Sequence, residues 1–470
     1  MDDQKRNRVL LLLFIGVLMG ALDIAIVGPA LPAVQRAFGI GERSLAWIFT
    51  IYVLFNLVGT PLMAKLSDSL GRRAIYVADV GLFALGSLIV ATAPSFSFVL
   101  LGRAIQGLGA GGIFPVASAV IGDTFPPERR GGALGLIGAV FGIAFLIGPI
   151  LGGALLLFGW RWLFLINLPI ALGVIIASLR LLPARRLGQR LAFDAIGMGI
   201  LGALLASLAY ALNQLDTLRL GESLGSPQVW PFLAISLIAL PLLVAWEQRQ
   251  DNPIVRLGLF GSRQIALASV FSAGAGLSEA ALVFIPAFIV ATFEVSESVA
   301  SFMLVPAVLA MAIGAPAAGR LLDRQGSRLV VLLAMALLTA GLLMLSLLAQ
   351  RLALFYSAGI LIGLGLSMLL GAPLRYIVLT EAPLSDRASA QGLLTLFTSV
   401  GQLVGGVLVG AVAASTGGGV SGYRAAYLLV GLISGLLSLL TLLLKSRTEE
   451  MVTIGLEAHR AGAVNSIDGG

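Results

Sequence analysis

Cysteine is absent from this 470-residue chain, and histidine occurs once, as His459 in a polar stretch near the C-terminal end. Without cysteine there are no disulfides, no thiol nucleophile and no cysteine-ligated metal. The single histidine lies outside every apolar run, which excludes imidazole catalysis or imidazole metal binding inside a membrane. Charge is scarce as well, at 11% of residues. No Gly-x-x-x-x-Gly-Lys-Ser/Thr run occurs, so no phosphate-cradling loop for ATP is expected. What remains implies neither a metal nor an organic cofactor.

What is present is apolar. Hydrophobic residues make up 58% of the chain and mean hydropathy is +1.01, more than a water-soluble core can hide. The apolar residues come in continuous runs of about 20, each long enough for a helix across the ~30 Å hydrocarbon core. Continuous runs argue against a β-barrel, whose strands alternate. We count fourteen runs, from 9–32 to 423–444, and expect an all-α polytopic membrane protein. The first run, Val9 to Pro32, is too long for a signal-peptide core and reads as an uncleaved span.

The net charge of +7 is a topology signal rather than a mark of nucleic-acid binding. Six Lys/Arg residues (Arg36, Arg43, Arg161, Arg219, Arg351, Arg424) fall in one set of alternate connectors, and two (Arg103, Arg375) lie inside spans. The opposite connectors and the termini hold all the others. The positive-inside rule then puts both termini in the cytoplasm of a plasma or bacterial inner membrane.

The chain also repeats itself. Ala64-Lys-Leu-Ser-Asp-Ser-Leu-Gly-Arg-Arg73 returns as Gly319-Arg-Leu-Leu-Asp-Arg-Gln-Gly-Ser-Arg328, with Asp68/Asp323, Gly71/Gly326 and Arg73/Arg328 in register. At nearly the same offset Gly107, Gly109 and Pro127 become Gly363, Gly365 and Pro383. Spans 1–6 therefore match spans 9–14 in one orientation, a parallel repeat. Spans 7 and 8 have no counterpart. The expected division is a six-helix bundle over 1–182, two inserted helices within 183–263, a second six-helix bundle over 264–444 and a cytoplasmic tail over 445–470, read as unstructured.

A charge inside a span costs roughly 3 kcal/mol on insertion scales, so each one marks a partner or a purpose. Asp23 lies near the middle of span 1 and Glu279 near the middle of span 9. Gly16 and Gly20 precede the first, and Ser272 and Gly276 the second, at the spacing i, i+4, i+7 that places them on one helical face. Arg103 in span 4 sits at a depth similar to that of Asp23, about 9–13 Å below the outer surface. An Asp–Arg contact is within reach there, with a proton as its competitor; a static ion pair is the bland alternative. Arg103 has no repeat counterpart, because position 359 is Gly. Asp79 and Arg375 lie nearer the cytoplasmic ends, where both have reach to snorkel. Span 5 carries Gly148-Pro149 and Gly152-Gly153, which suit either a pivot or close helix packing.

These stretches resemble the motifs of the major facilitator superfamily. Ala64–Arg73 is similar to its cytoplasmic loop motif, with Ala64 in place of the usual first glycine. Arg103-x-x-Gln106-Gly107-x-Gly109 resembles its fourth-span motif. Gly135 with Gly148-Pro149-x-x-Gly152-Gly153 resembles the antiporter motif of span 5, with Ala144 in place of one glycine. Leu22-Asp23-Ile-Ala-Ile-Val27 to Pro32, and Gly159-Trp-Arg-Trp-Leu-Phe-Leu-Ile-Asn167-Leu-Pro169, resemble the fourteen-span drug:proton antiporter branch. In the first of these, Ala25 and Gly28 stand where that branch usually has Thr and Asn. The resemblance implies a conformational latch at Asp68, Gly71, Arg72 and Arg73, echoed by Asp323 and Arg328. It also implies proton coupling at Asp23 tuned by Arg103, and a hinge at Gly148, Pro149, Gly152 and Gly153. Glu279 matches no motif, and its candidacy for proton coupling rests on the residues alone.

The expected function is proton-coupled antiport, exporting amphipathic or lipophilic small molecules by alternating access in a single chain within the bilayer. Export of a lipid, siderophore or metabolite is the rival within transporters. An intramembrane enzyme lacks a nucleophile–base set, and a non-transporting receptor or scaffold has no need of a repeated latch.

Overall fold

Fourteen helices long and apolar enough to cross a membrane run through the computed structural model, which describes residues 3–183, 194–250, 253–383 and 386–453. The first six are α1 (Asp3–Phe38), α2 (Glu42–Leu70), α3 (Arg72–Ala91), α4 (Phe96–Thr124), α5 (Pro127–Leu156) and α6 (Trp162–Leu181). The inserted pair is α7 (Ala195–Gln214) and α8 (Trp230–Glu247). The last six are α9 (Arg263–Phe293), α10 (Glu297–Gln325), α11 (Ser327–Leu348), α12 (Leu352–Glu381), α13 (Arg387–Ser415) and α14 (Gly419–Leu440). No strand occurs among the described residues. The architecture is the expected all-α one of fourteen spans.

Four spans expected to be continuous are interrupted, at Ile166 in α6, Phe284 in α9, Met303–Leu304 in α10 and Gly371–Ala372 in α12. Each break falls within three residues before a proline: Pro169, Pro286, Pro306 and Pro373. A proline ring lacks the N–H donor and crowds the carbonyl four residues back, so the helix yields just ahead of it. Pro29, Pro61, Pro115 and Pro149 nevertheless lie inside unbroken helices. Proline permits the break, and packing decides whether it happens.

The Cα framework groups into two compact units. Among the described residues, unit 1 comprises Met1–Ile254, Ala280–Val305 and Leu403–Ala426; unit 2 comprises Val255–Glu279, Pro306–Gln402 and the chain from Tyr427. This grouping cuts across the 1–182, 183–263 and 264–444 division expected from the repeat. The reason lies in local packing. Gly406 and Gly410 lie against Thr50 and Ala46 of α2, while Ser301 and Phe302 lie against Gly152 and Gly153 of α5.

In unit 1, α4 packs backbone to backbone between α2 and α3. A side chain at Gly107 would strike the carbonyl of Tyr52, and one at Gly109 the carbonyl of Asp79. In unit 2 the repeat-related Gly363 and Gly365 meet the carbonyls of Ala307 and Ala334 in the same way. The repeated glycines are thus repeated helix–helix contacts.

The inserted helices are anchored on α2. Asn213 Nδ2 donates to the Arg43 carbonyl (3.1 Å), Trp47 Nε1 donates to Asn213 Oδ1 (3.0 Å), and Arg43 Nη2 donates to the Leu215 carbonyl (3.1 Å). α8 packs on α7 and turns Leu237, Ile238, Leu240 and Leu242 outward, the surface that lipid covers.

The chain beyond α14 departs from the expected unstructured tail, because residues 447–453 are helical. Lys445 pairs with Glu381, Arg447 Nη2 donates to the Asp323 carbonyl (2.9 Å), and Glu450 is nearly buried at 4% exposure. These polar partners hold the segment to unit 2. Positions 454–470, with His459, lie outside the described residues.

Gly107→Ala is expected to lower the unfolding temperature of the purified protein by the equivalent of about 1–3 kcal/mol of overpacking. Gly81→Ala, with open space around its Cβ position, is expected to leave that temperature unchanged or slightly higher. Equal melting of the two variants would contradict the backbone-contact account.

Candidate functional site

Five of the first six helices send a polar group to one buried point in unit 1. Asp23 of α1 stands where the small residues Gly16 and Gly20 allow that face of α1 to approach its neighbours. Arg103 of α4 reaches it, with Nη1 donating to Asp23 Oδ2 at 2.5 Å, and both side chains are fully buried. Gln106 Nε2 donates to Asp23 Oδ1 (3.2 Å), and Asn167 Nδ2 of α6 donates to the same oxygen (3.4 Å). Arg103 Nε donates to the Ile48 carbonyl of α2 (3.1 Å). The Ser87 hydroxyl of α3 accepts from Gln106 (2.7 Å) and from Asn167 (3.2 Å). The guanidinium stacks 4.2 Å over the Tyr52 ring.

A buried ion pair repays its desolvation only when further hydrogen bonds satisfy it. Here they nearly do. Both Asp23 oxygens accept at least one hydrogen bond, while Arg103 Nη2 and the Tyr52 hydroxyl have no hydrogen-bond partner among the described residues. The cluster is therefore tight around the carboxylate and open around the cation. A proton arriving at Asp23 would remove the charge that holds Arg103, Gln106 and Asn167 in one arrangement.

The expected Asp23–Arg103 contact is present. Gln106 and Asn167 were visible in sequence only as members of motifs, and Ser87 and Tyr52 were not singled out. Polar residues inside apolar spans are the signal that could have found them. Glu279 lies in unit 2, where Gln402 Nε2 of α13 donates to it at 2.9 Å. It forms no ion pair among the described residues, so the two repeat-related acids sit in different chemistry.

The two loop motifs also differ. In the first, Arg72 pairs with Asp68, donates through Nε to Asp123 (3.0 Å) and through Nη1 to Ser67 Oγ (2.7 Å). Gly71 turns the chain at φ +99°, a conformation that favours glycine. Arg73 has no ion-pair or hydrogen-bond partner among the described residues. In the second copy Gly326 repeats the turn at φ +82°, but Ser327 replaces the Arg72 equivalent. Asp323 and Arg328 have no side-chain ion pair among the described residues. Glu450 supplies the carboxylate instead, accepting from the Ser327 backbone N–H (3.1 Å) and from its hydroxyl.

The proposed hinge is a packed face on a helix that runs unbroken through Pro149. Gly148 lies against Ala25 and Gly152 against Pro29 and Ser301. Ser301 Oγ donates to the Pro149 carbonyl (2.7 Å), and Ser298 Oγ donates to the Gly153 carbonyl (2.6 Å). Asp79 does not snorkel: it is fully buried. Arg375 is exposed. No cluster of metal-ligating side chains occurs among the described residues.

A sequence model described as Major Facilitator Superfamily matches residues 13–246 and 265–466. The chain is 34% identical over 408 residues to an uncharacterised MFS-type transporter, YfiU, of Bacillus subtilis (strain 168), covering 85% of this chain and 79% of that one. It is 32% identical over 426 residues to the multidrug resistance protein Stp of Mycobacterium tuberculosis (strain CDC 1551 / Oshkosh), covering 87% and 77%. Among solved structures it superposes, with a TM-score of 0.67 and 18% identity, on a bacterial homologue of the human lysosomal transporter Spinster, over 94% of this chain and 97% of that one. That likeness is one of fold.

Arg103→Met leaves Asp23 buried without its cation and is expected to cost about 3–5 kcal/mol of stability. Asp23→Asn in the same chain is expected to restore much of that loss. A double-mutant cycle by denaturant unfolding in detergent measures the coupling, and additive losses would mean the pair contributes nothing as a pair.

Proposed function

The chain belongs to the major facilitator superfamily and is a multi-pass membrane transporter, not an enzyme. On that premise we propose that it is a proton-coupled antiporter exporting amphipathic or lipophilic small molecules. The observation that carries this reading is the fully buried Asp23 carboxylate, held by Arg103, Gln106 and Asn167. A relative named for multidrug resistance supports the substrate class.

In this reading both termini are cytoplasmic, and a proton entering from outside competes with Arg103 for Asp23. Protonation frees the guanidinium and relaxes the ties among α1, α3, α4 and α6. The freed arrangement favours release of substrate outside, and loss of the proton to the cytoplasm restores the pair. Glu279, which accepts a hydrogen bond from Gln402, is the second candidate carrier. Arg72 with Asp68 and Asp123 latches the cytoplasmic ends of α2, α3 and α4. The hydrogen bonds from Ser298 and Ser301 to the Gly153 and Pro149 carbonyls hold the outer ends of α5 and α10 together. One proton crossing ~100 mV supplies about 2.3 kcal/mol, enough for roughly a fifty-fold gradient of a neutral substrate.

Asp23→Asn is expected to reduce pH-gradient-driven ethidium uptake into inverted membrane vesicles by about tenfold or more, with the protein still inserted. Wild-type uptake by that variant would sink the assignment of Asp23. A wild-type chain that moves neither ethidium nor tetraphenylphosphonium would favour a lipid, siderophore or metabolite as cargo.

A further inference from the structure

Asp79 is a fully buried acid that the mechanism above does not use. It lies in α3, with no exposed surface, and both carboxyl oxygens lack a hydrogen-bond partner among the described residues. Its carboxyl fills the space that Gly112 of α4 leaves empty, since a methyl group there would overlap it. Gly109 closes on the Asp79 backbone one turn away. The Tyr76 hydroxyl, one turn back on the same helix, lies against Gly16 of α1 and also lacks a partner among the described residues.

Among the described residues no compensating charge is bonded to this carboxyl. On α2, Asp68 is committed to Arg72 and Lys65 makes no bond to Asp79; Tyr52 lies under Arg103. On α4, Arg103 is committed to Asp23 and Asp123 to Arg72. Arg180 of α6 makes no bond to it either. An ionised carboxylate in such a place has neither donor nor cation among the described residues to offset its desolvation, whereas a carboxylic acid loses far less. Placing a glycine opposite the carboxyl makes room for it without supplying a donor. A merely structural acid would be expected to have at least one partner.

We propose that Asp79 is a further proton-binding site, loaded in the conformation described, so that the first-half helices carry two titrating carboxyls, Asp23 and Asp79. The two sites are stacked along the first-half helices. Ser87, which belongs to the Asp23 cluster, and Asp79 are eight residues apart on α3, about 12 Å along its axis. Asp79 is on the side of the chain's N-terminus. A shift of α3 against α4 would move the carboxyl out of the Gly112 recess and release its proton on that side. The inference rests on the proton-coupled reading and deepens it.

The test uses the full-length purified protein. The infrared carbonyl stretch of a protonated carboxyl is expected in the wild type near neutral pH and in Asp23→Asn, and is expected to be missing in Asp79→Asn. Asparagine has the shape of the protonated acid, so that variant is expected to fold. In weakly buffered detergent, at a pH low enough that Asp23 carries a proton as well, with ethidium fluorescence reporting binding, proton release per ethidium is expected to fall by about one proton in Asp79→Asn and in Asp23→Asn alike. Release reduced by Asp23→Asn and untouched by Asp79→Asn overturns the Asp79 site and leaves the proton-coupled reading standing. A wild type that binds ethidium and releases no proton overturns both. Gly112→Ala, which fills the recess, is expected to shift the infrared band, and a band unmoved by it would place that proton elsewhere.

Discussion

One ion pair holds the first half together. Asp23 and Arg103 join α1 to α4 with no exposed surface on either side chain. Their remaining hydrogen-bonding capacity draws in α2 through the Ile48 carbonyl, α3 through Ser87 and α6 through Asn167. Inside a bilayer no water can take over a broken bond, so polar groups that meet there constrain every helix that carries them. The glycine contacts of α4 with α2 and α3 bring the backbones close enough for this. In the proton-coupled reading proposed above, the same economy of partners is what a single proton at Asp23 would disturb.

The repeat conserves geometry more faithfully than chemistry. Gly107 and Gly363, or Gly71 and Gly326, occupy equivalent backbone situations because a close approach or a left-handed turn admits little else. The side chains diverge. Arg103 is replaced by Gly359, so Glu279 has Gln402 rather than a cation. Arg72 is replaced by Ser327, and the carboxylate facing that turn comes from Glu450 instead of Asp323. Among the described residues the buried ion pair therefore belongs to the first copy of the repeated motifs and has no counterpart in the second. The docked segment 447–453 compensates in the second loop for an ion pair that its own motif lacks.

Much of this was legible in the chain. The number of spans, their apolar continuity, the parallel repeat and the pairing of Asp23 with Arg103 follow from run length, periodicity and matching depth. The proline-linked breaks in α6, α9, α10 and α12 were not legible, since Pro29 and Pro149 stand in equally apolar runs and leave their helices whole. Asn167 and Ser87 escaped notice as ligands of the cluster because one polar residue in a span has many possible neighbours. Asp79 looked able to snorkel by its position along α3, and only the facing Gly112 shows that it is shut in. The segment after α14 reads as polar and unstructured, yet its charges find fixed partners in unit 2.

By itself the sequence determined what the bilayer demands: fourteen apolar helices, their polarity bias, the duplicated motifs, and the few charges that must be partnered. Those properties are local, or repeat at fixed intervals, and the hydrophobic effect reads them without reference to distant residues. The tertiary structure alone decided which polar groups meet, which repeat copy keeps its ion pair, and which buried acid is left without one. Those outcomes depend on helix rotation and on approach distances of a few ångströms, set by many glycine and side-chain contacts together. A membrane interior with no solvent to fall back on turns those small distances into the chemistry of the site.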